Sequence, residues 1–261
     1  MQTKTRSANE KHTSPALFIL LGASNLARAS YGLMNCLTRC LSPRPVEFLH
    51  ALGPGRAYIT EGGILSAVYP PILNCGILNV AKDKSKSKRM IVALVTDIGN
   101  DIMYGVSAEK IILGLKTLFN TMEEIGASVL TSTIPVDLEQ DVEKFYFLIL
   151  RRIFFRKSRV EHQEAASAVR AINQFIEESE NENITVLKEM RPFCGVDKIH
   201  YRLSTSHRAW SYVAEEMLHR LNTPTPVRIG PADMAGSLAY NLARILCTDM
   251  FGITKKPGEA F

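Results

Sequence analysis

Five short, nearly unbroken apolar runs, at residues 16–21, 46–51, 90–96, 128–134 and 184–188, limit what this chain can fold into more than any other feature. A strand with one wet face alternates polar and apolar residues, whereas a strand covered on both faces reads as a continuous apolar run. None of the five is long enough to cross a bilayer as a helix. Between them the period changes. Leu26, Ala29, Leu33 and Leu37 follow the first run at helical spacing. Ile111, Ile112, Leu115, Leu118, Phe119, Met122 and Ile125 follow the third, with Ser107 placed as the helix N-cap. Residues 165–176 lead into the fifth run and residues 204–221 follow it with the same period. This alternation predicts an α/β fold built on a parallel sheet of five strands.

Two parts lie outside the pattern. Residues 142–158 hold a dense apolar and basic stretch around Phe145, Phe147, Leu150 and Phe154. Residues 222–261 begin with a Pro- and Thr-rich link and continue as a helical run over 231–251. The expected organisation is a flexible N-terminal segment at 1–15, a domain at 16–221 and a C-terminal extension at 222–261 with one helix. A net charge of +5 is mild, and much of the excess sits in two local runs, 82–89 and 151–159, so it does not read as a nucleic-acid footprint. The 82–89 run reads as a solvated loop before the third strand. Cys36, Cys40, Cys75, Cys194 and Cys247 are scattered and form no CxxC pair, as expected of reduced thiols in a soluble cytoplasmic protein. The first apolar run is also too short for the core of a signal peptide.

Residues with chemical potential fall just beyond the runs: Ser24 after the first, Gly53-Pro54-Gly55 after the second, Gly99-Asn100-Asp101 after the third, and Asp197 and His200 after the fifth. In open parallel sheets the ligand crevice lies outside the carboxyl ends of the strands, so these distant residues would converge. A serine hydroxyl is a poor nucleophile until a base takes its proton, and a histidine base needs a neighbour that fixes its tautomer. Ser24, His200 and Asp197 supply those three parts. Each also has a plainer role open to it. Ser24 could cap the helix beginning at Asn25, Asn100 and Asp101 could form a turn, and Asp197 and His200 could lie in a surface turn. His207 is a competing imidazole, although its place in a helical run beside Trp210 suits packing. Asp97 stays unassigned. The remaining histidines have no ligand-like spacing, so neither a metal nor a cofactor is expected.

In that order and at those separations, Gly22-x-Ser24, Gly55, Gly99-Asn100-Asp101 and Asp197-x-x-His200 resemble the SGNH (GDSL-like) hydrolase superfamily over residues 16–221. The resemblance implies a flavodoxin-like three-layer α/β/α sandwich and ester hydrolysis through an acyl-serine. It implies Ser24 as nucleophile, His200 as base and Asp197 as the residue orienting it. It also implies an oxyanion hole made of the Ser24 and Gly55 amides and the Asn100 side chain, with Gly53 an alternative to Gly55. Ala23 departs from the family pattern, which has Asp there.

Other chemistries fit less well. The glycines of a dinucleotide loop are missing beyond Gly22, and Leu26 breaks the GxSxG elbow of larger α/β-hydrolases. A catalytically silent scaffold and an acyltransferase using the same site remain alternatives. The substrate class is a small-molecule, lipid or carbohydrate ester. Residues 142–158 would be an extra helix packed on the domain, or an apolar lid. The segment 145–159, with Arg151, Arg152, Arg156, Lys157 and Arg159, would suit peripheral contact with an anionic membrane or an acidic substrate.

Overall fold

In the computed structural model, which describes residues 14–64, 67–223, 225–251 and 261, the five apolar runs form one parallel sheet. The strands are β1 (Ala16–Leu21) and β2 (Val46–Ala51), a short antiparallel pair β3 (Gly62–Ile64) and β4 (Ala67–Tyr69), then β5 (Met90–Val95), β6 (Ala127–Ser132) and β7 (Ile184–Leu187). Their order in the sheet is β2-β1-β5-β6-β7. The chain steps one way from β1 to β2 and the other way from β1 to β5. The β1–β5 boundary is therefore the topological switch point, where open α/β sheets leave a crevice. Leu21 stands opposite both Ala51 and Val95, so three neighbouring strands end level and their loops emerge side by side.

The alternation of side chains along each strand explains why β1 is apolar throughout. Leu17, Ile19 and Leu21 enter one core layer, while Ala16, Phe18 and Leu20 enter the other. Burying a leucine or isoleucine is worth about 1.5–3 kcal/mol, so neither face tolerates a polar residue. The helices α1 (Ser24–Leu41), α2 (Ile77–Ser85), α3 (Asn100–Met103), α4 (Ala108–Glu124), α5 (Leu138–Asp141), α6 (Lys144–Phe154), α7 (His162–Glu178), α8 (Ser206–Arg220) and α9 (Pro231–Arg244) surround the sheet. Residues of α2, α4 and α7 fill the first layer, and residues of α1, α8 and α9 the second. The result is a three-layer α/β/α sandwich.

Several local expectations change in the structure. The 82–89 run is not wholly a loop, because residues 82–85 end α2. Ile77 and Ala81 are buried, one turn apart, while Lys82 and Lys84 point outward to Glu124 and Glu47 at 3.0 Å each. Ser107 stands at the N-cap of α4 with extended backbone, but its side chain makes no capping bond to the helix. The 142–158 segment contains α6, with Phe147 its one fully buried residue. The expected C-terminal helix is α9, continued by a π-helical turn at Ile245–Met250. It packs across α1, where a Cβ at Gly32 would come within 3.2 Å of the Asp233 carbonyl oxygen. Val227, Ile229 and Met234 join the second core layer. Of the N-terminal segment 1–15, residues 1–13 lie outside the described residues. Among those described, no helix is long and apolar enough to cross a membrane.

Candidate active site

The loops leaving β1, β2 and β5 at the switch point, together with the loop between β7 and α8, bring Ser24, Gly55, Asn100, Asp197 and His200 around one cleft. Ser24 opens α1, so its hydroxyl and its amide both sit at the positive end of an eighteen-residue helix. The Ser24 Oγ lies 2.9 Å from His200 Nε2, and His200 Nδ1 lies 2.7 Å from Asp197 Oδ2. Asp197 Oδ1 accepts the amides of Ile199 (3.1 Å) and His200 (2.9 Å). Partial burial pushes the Asp197 carboxyl up, but the His200 ring and those two amides outweigh it and hold the group at about 2. Asp197 is thus ionised wherever His200 could serve as a base. Lys198, between them, takes a left-handed backbone (φ 60°) that turns the loop back so both side chains meet.

The Ser24 loop is held by a residue that the sequence leaves without a role. Asp97, at the end of β5, has φ 59°, a region that non-glycine residues seldom occupy and that Asp and Asn enter most easily. Its Oδ2 accepts the amides of Ala23 (2.9 Å) and Leu26 (3.1 Å), and its Oδ1 accepts the Asn25 side chain at 3.0 Å. Ala23, at the N-cap of α1, has no capping side chain, so the cap comes from a neighbouring strand. Asn25 extends this network to the histidine loop. Its Nδ2 donates to the Ile199 carbonyl (3.0 Å) and its Oδ1 accepts the Tyr201 amide (3.0 Å), the residues on either side of His200.

The other wall is equally fixed. Asn100 Nδ2 donates one bond to the Arg56 carbonyl at 2.8 Å, which leaves its second N–H for the cleft. Asp101 is buried and accepts the amides of Tyr58, Ile59 and Thr60 at 2.7, 3.0 and 3.2 Å, tying the β2–β3 loop to α3. Burial raises its carboxyl above the ordinary range despite those bonds. Asp101 thus holds the loop, while Asn100 lines the cleft. Gly55 lines the cleft and Gly53 does not. Gly55 needs its glycine twice over: φ is +73°, and a Cβ would meet the Gly63 carbonyl at 2.8 Å. Tyr104 locks this loop against β3 by donating its hydroxyl to Gly55 O (2.8 Å) and accepting from Gly63 N (3.1 Å). His207 lies in α8, outside the cleft lining. Among the described residues, no cluster of His, Cys, Asp and Glu could hold a metal ion.

The cleft has a cavity volume of about 200 Å³, and away from the polar end its walls are apolar and include Ile98, Ile134, Val136 and Val169. Helix α6 closes one side with Phe147, Leu150, Arg151 and Phe154. The Phe154 ring meets the His200 ring edge-on at 5.8 Å, and Phe155 meets Tyr104 at 5.3 Å.

No family model matches the chain, and no curated protein matches its sequence. Among solved structures it is similar to a member of the lipolytic G-D-S-L family from Veillonella parvula, with 13% identity over 78% of this chain and 99% of the other and a TM-score of 0.46. TesA is similar at 16% identity, over 78% and 99% of the two chains, with a TM-score of 0.43. The psychrotrophic esterase EstA from Pseudoalteromonas sp. is similar at 13% identity, over 76% and 96%, with a TM-score of 0.42. Ala23 stands where the pattern that the sequence resembles has Asp, and the carboxylate that meets this loop is that of Asp97.

Proposed function

We propose that this protein is a serine esterase that works through an acyl-serine intermediate. The observation that carries the reading is the continuous line Asp197–His200–Ser24, with contacts of 2.7 and 2.9 Å, at the mouth of an apolar cleft. In this reading Asp197 keeps the proton on His200 Nδ1, so that Nε2 is free to take the Ser24 proton as Oγ attacks the ester carbonyl. The negative charge that develops on the carbonyl oxygen faces the amides of Ser24 and Gly55 and the second N–H of Asn100. The hydrogen bond to Arg56 holds that side chain still, so it need not reorganise during the reaction. His200 then returns its proton to the departing alcohol, and water repeats the sequence to release the acid. The apolar walls favour an acyl chain over a sugar in the cleft.

Neither step needs a metal or an organic cofactor. The five free cysteines suit a reducing compartment, and the cytoplasm is the location we assign. The reading is tested by hydrolysis of short and medium p-nitrophenyl esters. Wild-type turnover should fall by at least about a thousandfold in Ser24→Ala and in His200→Ala. Turnover retained in Ser24→Ala would remove the acyl-serine mechanism.

A further inference from the structure

Helix α6 has two working faces. Phe147, Leu150, Arg151 and Phe154 line the cleft, whereas Phe145, Ile149 and Ile153 form a stripe at every fourth position on the opposite, solvent side. Those three are 74%, 39% and 61% exposed, with Tyr146 beside them at 37%. Apolar residues in line along a helix are ordinarily buried, and here no described segment covers them. The same helix and the turn after it carry Lys144, Arg152, Arg156, Lys157 and Arg159, all exposed and without an ion pair or hydrogen bond among the described residues. Arg151 alone is engaged, donating to the Val160 carbonyl at 2.6 Å and standing 3.8 Å from Glu161.

We propose that α6 is a membrane-docking helix that seats the protein on an anionic lipid surface. An apolar stripe bordered by free cations matches such a surface on both counts, since the stripe enters the acyl boundary while the cations meet the headgroups. A nucleic acid would use the cations and leave Phe145, Ile149 and Ile153 in water. A second copy of the chain would cover the stripe but bring two sets of cations together. The placement also has a consequence for chemistry. Because the inner face of the same helix walls the cleft, docking sets the cleft mouth at the lipid surface, and the ester it receives is an amphiphile held in that surface. This last step rests on the esterase reading; the docking itself does not.

The test is co-sedimentation of the full chain with phosphatidylcholine vesicles, with and without phosphatidylserine, alongside hydrolysis of a water-soluble short-chain ester. Wild type should bind the phosphatidylserine vesicles, and binding should weaken with salt and in the neutral vesicles. The triple variant Phe145→Ser, Ile149→Ser, Ile153→Ser should lose at least about tenfold in binding. The pair Arg152→Glu, Lys157→Glu should lose a similar factor. Both should keep the wild-type circular dichroism and act on the soluble ester within about twofold, since none of the five residues lines the cleft. Leu113→Ser on α4, where the leucine is 65% exposed, should bind as wild type. No wild-type binding to phosphatidylserine vesicles, or binding unchanged in both multiple variants, overturns the proposal. So does a concentration-dependent dimer that the triple variant abolishes. If vesicles are bound but the soluble ester is not cleaved, docking stands and the esterase reading falls.

Discussion

At the scale of single residues, the site depends on side chains that hold its loops in place. Asp97 caps α1 from the end of the neighbouring strand, and Asn25 binds the Ser24 loop to the histidine loop on both sides of His200. Asp97→Asn keeps one acceptor but loses the charge and one of three contacts. We expect kcat to fall about ten- to a hundredfold with KM little changed, because position rather than binding is lost. Steady-state kinetics on one ester checks this, and a rise in KM at constant kcat would contradict it. Asp197 gives a pH prediction with a definite sign. Its folded pKa, at about 2, is below the ordinary 3.8, so its contribution to stability is fully present above the ordinary value and is lost as pH falls through about 2. The stability gap between wild type and Asp197→Asn, read by urea unfolding, should therefore be widest above pH ~4 and close towards pH ~2. Among the described residues, Asp197 is the one hydrogen-bond partner of His200 Nδ1, so Asp197→Asn should also reduce turnover sharply.

The candidate site residues can be read from the sequence because each proposed role needs a particular residue type beside a strand end. Asn25 and Asp97 cannot. Their function comes from a left-handed backbone and from loops 174 positions apart, as in the Asn25–Ile199 bond, and neither leaves a local mark.

At the scale of elements, legibility followed burial. In β1 and β5 the apolar runs set the strands nearly to the residue, because covering both faces leaves no polar position to blur the ends. The β3–β4 pair has three residues in each strand and two glycines, too little pattern to register. In α2 the lysines concealed a helix whose buried face is only Ile77 and Ala81. Helix α6 was ambiguous in sequence because apolar residues occupy both of its faces, one towards the cleft and one towards solvent. Its inner face predicts acyl-chain selectivity. Leu150→Trp should narrow the cleft, lowering kcat/KM for medium-chain esters about tenfold or more relative to acetate. An unchanged chain-length profile would remove α6 from the acyl-binding wall.

At the scale of the whole molecule, a single device assembles the site: level strand ends at a switch point gather loops from throughout the chain. The C-terminal helix is part of that body, since α9 lies against α1, the helix whose first residue is Ser24. Gly32→Val should force the two helices apart and reduce stability by about 1–3 kcal/mol in urea unfolding; no loss would mean that α9 is only loosely attached. If Ser24 is a nucleophile activated by His200, it should react with a fluorophosphonate, which intact mass and peptide mapping would locate. One adduct should form on Ser24, and His200→Ala should nearly abolish it; a folded protein that takes up no label, or takes it up at another residue, would contradict the account.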